Sequence, residues 1–316
     1  MYTGIKGISF FDIFAAHFKK INDMNKVWFI TGSSRGLGKS LTEAVLANGD
    51  NVAATARNPE RLSDLVKKYP NQIIALPVDV TNKEQIDKAV KDTIGKFGCI
   101  DVLVNNAGVG ITGAIEEFSN EQMDSQLQIN LHGPIDVTRS VLPYMRKQRS
   151  GSIFNVSSIG GRVGSAGFSM YQAAKFGLQG FTEVLAQEVA HLGIKVTSIE
   201  PGGIRTDWGA ASMTYAEPID DYKGVLQPLK DYLKTIIPLG NPDKAAQVII
   251  DLVGHPEPPV HLLLGSDAVS ILESVEIKRK TELEKWRHVS VSTDFDDVEN
   301  PWASEETKKN ILKMNY

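Results

Sequence analysis

The sequence predicts a single doubly wound α/β domain, with a parallel sheet, helices on both faces, an irregular lid, and a C-terminal helix and tail. Three observations lead there. From Lys26 onward, short apolar runs alternate with stretches of helical periodicity. The runs read as strands buried on both faces, as crossover helices require. Hydrophobic residues make up 42% of the 316-residue chain and charged residues 23%, the balance of a globular protein with a sizeable core. No internal repeat or low-complexity stretch interrupts the alternation. We therefore read 24–289 as one domain, 1–23 as an N-terminal extension and 290–316 as a tail.

The elements follow in order. Val27 to Ile30 is a buried strand, and a helix from about Leu37 stops at Asn48-Gly49. Val52 to Ala56 is the second strand. Asn58-Pro59 then supplies an N-cap and a first-turn proline, and Pro70 closes that helix. Ile73 to Val78 is the third strand, and Thr81-Asn82-Lys83-Glu84 reads as a capping box opening a helix to about Phe97. Asp101 to Val104 is a strand, and a long helical stretch from Asn120 to Gln148 is expected to break near Gly133-Pro134. Ser152 to Val156, Lys195 to Ile199 and Val260 to Leu264 are strands, and Phe168 to Leu192 is a helix. Two regions leave this rhythm. Thr206 to Pro238 is irregular and rich in Trp, Tyr, Met, Leu and Pro, the character of a lid. After a helix over about Asp267 to Arg287, the tail is expected to cover the surface loosely or stay disordered.

Composition narrows the function classes. A net charge of −4 gives no reason to expect nucleic acid or an anionic membrane as partner. The lone Cys99 forms no internal disulfide, which fits a reducing, cytoplasmic setting. It precedes an apolar strand, so packing is favoured over a catalytic thiol. No run reaches the roughly 18 apolar residues of a membrane helix. Ile8 to Phe18 comes nearest, but Asp12 interrupts it, so we expect an extension rather than a signal sequence or anchor.

Chemistry gathers at the ends of the strands. Strand Val27 to Ile30 runs into Thr31-Gly32-Ser33-Ser34-Arg35-Gly36-Leu37-Gly38 and then a helix. Bare backbone N–H groups at a helix N-terminus suit a pyrophosphate, and glycine lets it approach. The spacing is G-x-x-x-G-x-G, not the general G-x-G-x-x-G. Tyr171 and Lys175 stand four apart on one helical face, where an ammonium favours the phenolate. Ser158 lies thirteen residues before Tyr171, just past a strand, at the sheet edge where such folds bind ligands. Asn105-Asn106-Ala107-Gly108 reaches the same edge.

Together with Asn130, Pro201-Gly202 and Thr206, these motifs resemble the short-chain dehydrogenase/reductase family, in family order over roughly residues 25 to 265. The stretch through Trp286 and Ser292 to Phe295 is similar to hydroxysteroid-dehydrogenase-like members. The resemblance implies a Rossmann-type domain that moves a hydride between a nicotinamide and a carbonyl or secondary alcohol. It implies Tyr171 as general acid and base, with Lys175 lowering its pKa and holding the nicotinamide ribose. Ser158 would polarise the carbonyl, and Asn130 would hold a water relaying protons to Lys175. Gly32, Ser34, Arg35, Gly36, Leu37 and Gly38 would cradle the cofactor. Asp79 would meet the adenine amino group, Asn106 the ribose region and Thr206 the carboxamide, with Ala107, Gly108, Pro201 and Gly202 also binding the cofactor. Family habit adds a homodimer or homotetramer.

The cofactor is read as NADP(H), because Ala56 stands where NAD-binding relatives carry an acid, while Arg35 and Arg57 flank the 2′-phosphate position. The apolar lid, through Trp208, Met213, Tyr215, Tyr222, Leu226 and Tyr232, points to an apolar carbonyl or alcohol substrate, steroid-like or aliphatic. Two rival readings share the fold. A sugar epimerase or dehydratase usually carries a larger C-terminal domain, and a non-catalytic NADP-binding regulator tends to lose the tyrosine or lysine.

Overall fold

The computed structural model describes residues 25–206, 213–298, 300, 302 and 304–315, with the side chains of 232, 234 and 311–315 left aside. The extension 1–23 and Trp208 lie outside the described residues. Strands β1 (Val27–Ile30), β2 (Asn51–Ala56), β3 (Ile73–Pro77), β4 (Val102–Asn105), β6 (Gly151–Val156), β7 (Ile194–Pro201) and β9 (His261–Leu264) form one seven-stranded sheet in the order β3-β2-β1-β4-β6-β7-β9. Every pairing in it is parallel. A separate parallel pair joins β5 (Gly110–Thr112) to β8 (Met213–Tyr215).

Alternation within the strands divides the core. Trp28 and Ile30 of β1 face α1 (Gly36–Ala47) and, further along the same side, a helix over Pro242–Val253. Phe29, between them, faces α3 (Lys83–Phe97), α5 (Gly133–Gln148) and α6 (Ser169–Ala190). Short α2 (Ser63–Lys68) follows β2, and α4 (Asn120–Leu127) precedes α5. The order reverses between β1 and β4, so their carboxyl ends open a crevice at the sheet's switch point. Thr31 to Gly38 and Asn106 to Gly108 line that opening.

Several local expectations change. Asn82 caps α3 rather than Thr81, its side chain accepting from the Gln85 N–H at 2.9 Å, because Thr81 is drawn back to Asp79. The 120–148 stretch holds a π turn over Gln128–His132 ahead of Gly133, so the helical path is offset rather than cut. The lid is partly regular, with β8 and α7 (Lys223–Thr235). The Pro242–Val253 helix, α8, went unread, although Asn241-Pro242 repeats the cap-and-proline pair seen at Asn58-Pro59. Helix α9 (Ser266–Val291) precedes a tail with its own helix, α10 (Glu305–Asn315). Among the described residues no helix is long and apolar enough to cross a membrane.

Candidate active site

The turn after β1 is built to leave backbone exposed. Gly32 and Gly36 have φ of +70° and +55°, a region that side chains rarely adopt. No side chain caps α1 and no acid lies in its first turn, so its N–H groups and positive dipole end face the crevice. Thr31 locks this turn to the next loop. Its Oγ1 accepts from the N–H groups of Asn106 and Ala107 at 2.9 and 3.0 Å. Asn106 answers by donating its side-chain amide to the Thr31 and Gly32 carbonyls at 2.9 and 3.2 Å. Both amide hydrogens of Asn106 therefore shape the turn itself.

Gly38 sits one turn behind. A Cβ there would lie 2.3 Å from Asn106 Nδ2 and 2.4 Å from the Gly32 carbonyl oxygen. Gly38→Ala is accordingly expected to displace the turn and cost about 1–3 kcal/mol in thermal unfolding. An unshifted melting midpoint with unchanged cofactor binding would contradict this packing argument.

The second strand delivers Ala56, Arg57, Asn58 and Arg61 to the same cavity. Arg61 was missed in the sequence, although it stands one short turn after Arg57. Asp79 also lines the cavity, while its Oδ1 accepts from the Thr81 N–H and hydroxyl at 3.0 and 2.8 Å. It is thus a turn cap as well as a wall.

Asn130 is fully buried on the π turn. Its amide donates to the Val109 carbonyl and Gln126 Oε1, each at 2.9 Å, and its Oδ1 accepts from the Val109 N–H at 3.1 Å. Both amide hydrogens are used and the Oδ1 takes the Val109 N–H, so the side chain braces the loop after β4. A buried ladder unread in the sequence steadies the neighbouring elements. Asn105 donates to Thr138 and Asn155 at 3.0 and 2.8 Å, and Asn155 donates to Thr182 at 2.9 Å.

Ser158 opens a short turn over Ile159–Gly161, its Oγ accepting from the Gly160 N–H at 3.0 Å. Tyr171 and Lys175 come from the first turns of α6, with the Lys175 Nζ 5.8 Å from the Tyr171 ring centroid. That ammonium donates to the Val156 carbonyl at 2.8 Å. Burial pushes the Tyr171 phenol up to about 12, with a hydrogen bond to Ser158 pulling the other way. Burial brings Lys175 down to about 8. Desolvation is the larger influence on Tyr171, and the bond to Ser158 the one that opposes it.

One continuous cavity of about 650 Å³ runs from the glycine turn and Arg57 to Ser158, Tyr171 and Lys175. Of the sequence-predicted residues, Gly32, Ser34, Arg35, Gly36, Leu37, Arg57, Asp79, Asn106, Ala107, Gly108, Asn130, Ser158, Tyr171, Lys175, Pro201, Gly202 and Thr206 line it, and Gly38 alone stands behind the wall. Beyond Tyr171 the lining turns apolar, through Ile159, Val163, Phe168, Met213, Leu233 and Ile271. Of the other lid residues, Leu226 is buried and Tyr222 donates to Glu116 at 2.6 Å. Cys99 is remote from the cavity lining, and its thiol is pushed up to about 11 by burial and Asp101, which leaves it inert near neutrality.

Residues 26–215 match the model of the short chain dehydrogenase family. This chain belongs to the short-chain dehydrogenase/reductase family. It is an oxidoreductase of that family, acting on CH–OH or C=O groups. It is 44% identical over 273 residues to oxidoreductase BOA17 of Botryotinia fuckeliana, covering 85% of this chain and 100% of that one. A short-chain dehydrogenase from Streptomyces avermitilis superposes with a TM-score of 0.82 at 40% identity, covering 86% of this chain and all of that one. The structure of ElxO with NADP bound superposes with a TM-score of 0.66 at 27% identity, covering 78% of this chain and 100% of that one.

Proposed function

We propose that this oxidoreductase uses NADP(H) to interconvert an apolar ketone and its secondary alcohol, with Tyr171 as the proton donor in reduction. The observation that carries the reading is the continuity of one cavity, from Arg35, Arg57 and Arg61 around Ala56 to Ser158, Tyr171 and Lys175. Guanidinium groups suit a 2′-phosphate, and no carboxylate at position 56 repels one. The glycine turn and the uncapped start of α1 fit a pyrophosphate. The NADP bound to ElxO supports the same assignment by likeness.

The nicotinamide, when bound, supplies or accepts the hydride. The chain's own groups do the rest. Arg35 and Arg57 hold the phosphate end, with Thr206, Pro201 and Gly202 at the other end of the cofactor. Ser158 gives its hydroxyl hydrogen to the carbonyl oxygen and orients it. Tyr171, protonated at neutral pH, delivers its proton to that oxygen as the alcohol forms. Lys175 holds a positive charge beside the phenol and steadies the phenolate left behind. The apolar wall of Val163, Phe168, Met213, Leu233 and Ile271 excludes water and favours a neutral, bulky substrate, aliphatic or steroid-like. Phe176 and Val184 of α6 remain exposed at 41% and 56%, which suits a homodimer or homotetramer through that face.

NADPH and NADH oxidation by purified protein against a panel of apolar ketones tests the reading. We expect reduction with NADPH preferred. Absence of turnover on every carbonyl, with epimerisation or dehydration of a sugar nucleotide instead, would replace it. The pH dependence follows from the buried pair. Lys175 carries its charge below about 8 and loses it above. Tyr171 keeps its proton to about 12. For reduction, kcat/KM is therefore expected to hold near neutrality and fall as pH rises through the lysine's value, since kcat/KM reports the free enzyme. A profile that stays level well above it would remove Lys175 from the chemistry.

A further inference from the structure

Behind the Ser158 turn lies a charged cluster that the reaction scheme does not use. Glu200, the residue before Pro201-Gly202, is fully buried on β7. Its Oε1 lies 2.5 Å from His261 Nδ1 on β9, and the other ring nitrogen of His261 is 2.7 Å from Glu183 on α6. Its Oε2 has no hydrogen-bond partner. What faces that oxygen is the Arg162 guanidinium, with Nη1 at 3.7 Å. The same guanidinium reaches Glu276 of α9 through Nη2 at 3.5 Å, and Arg279 of α9 donates to the Arg162 carbonyl at 2.8 Å.

Arg162 closes the turn that Ser158 opens. Its N–H donates to the Ile159 carbonyl, and the Gly161 N–H donates to the Ser158 carbonyl, both at 2.9 Å. The turn has little room to move independently. A Cβ at Gly161 would stand 2.7 Å from Gln179 Nε2 and 2.9 Å from the Lys175 carbonyl oxygen, so the turn is pressed onto α6. A shift of Arg162 therefore passes to Ser158 instead of dissipating in a loose loop. The cluster also spans the elements that carry the rest of the site: α6 through Glu183, the end of β7 through Glu200, and α9, whose Ile271 lines the cavity, through Glu276.

We propose that Arg162 is a positioning residue, its guanidinium held between buried Glu200 and exposed Glu276 so that α9 and β7 together set where the Ser158 hydroxyl stands. The inference rests on the reading of Ser158 as the group that orients the carbonyl. A buried carboxylate needs compensating charge, and the Arg162 guanidinium shares that role on Glu200 with His261, which draws Arg162 toward β7. The two terminal nitrogens of Arg162 face two carboxylates at once, at ion-pair rather than hydrogen-bond distance, which a lysine in this place would not do.

The test is a double-mutant cycle on the full chain, read as the single-turnover rate of ketone reduction followed by NADPH absorbance. Arg162→Met is expected to slow hydride transfer by about tenfold with Ser158 present and to add almost nothing in a Ser158→Ala background, because the two act as a unit. NADPH affinity should stay within about twofold, since no cofactor contact is touched. Glu276→Gln, an exposed change that spares the buried carboxylate, should show the same pattern at about threefold and serves if Arg162→Met does not fold. Equal losses in both serine backgrounds, or unaltered rates in both variants, would overturn the proposal. A Ser158→Ala enzyme that turns over normally would instead sink the role given to Ser158 itself.

Discussion

Tyr171→Phe is expected to lower ketone turnover by at least roughly a hundredfold, the usual loss for a missing acid–base group, with little change in NADPH affinity. The phenol at the cavity wall holds its proton firmly at neutral pH, because burial pushes it up to about 12. The phenylalanine ring occupies the same space, so the edge-on contact with Phe168, centroids 6.2 Å apart, survives. What disappears is one hydroxyl and its bond to Ser158. Stopped-flow measurement of NADPH oxidation, paired with cofactor binding by fluorescence quenching, separates the chemical step from the binding step. Near-normal turnover in this variant, on a ketone that the parent reduces, would refute the assignment.

Removing the guanidinium groups should strike the other end of the cavity. Arg35→Ala and Arg57→Ala are each expected to weaken NADPH binding by about 1.5–3 kcal/mol, the worth of a lost charge-assisted hydrogen bond. Neither should much affect NADH, which lacks the 2′-phosphate. Arg61 lines the same region and was not weighed in the sequence. Its presence predicts that the double variant keeps some preference for NADPH, where two arginines acting alone would leave none. Calorimetric titration with both cofactors measures this. Equal losses for NADPH and NADH, or a parent enzyme that prefers NADH, would show that these cations serve the surface and not the phosphate.

Much of the molecule was legible because it is written locally. Apolar runs mark the seven core strands, and glycines at Gly32 and Gly36 mark a turn that needs positive φ. The spacing of Ser158, Tyr171 and Lys175 reflects one turn and one helical face, so the sequence alone places them together. Asn82 displaced Thr81 as a cap for a reason just as local: Asp79, two residues earlier, claims the threonine. The π turn at Asn130 left no mark beyond Gly133-Pro134, and Asn130 there clasps Val109, a partner distant in sequence.

Residue type and spacing thus determined the fold class, the family and most of the residues that line the cavity. Tertiary structure decided what each residue is free to do there. Asn106 spends its amide on the turn after β1, and burial raises Tyr171 although a lysine stands nearby. The contacts of Arg162 with Glu200 and Glu276 span separations that no local pattern encodes. Pairings of that kind follow from packing, because a side chain's partners and its dielectric surroundings exist only once distant segments have come together.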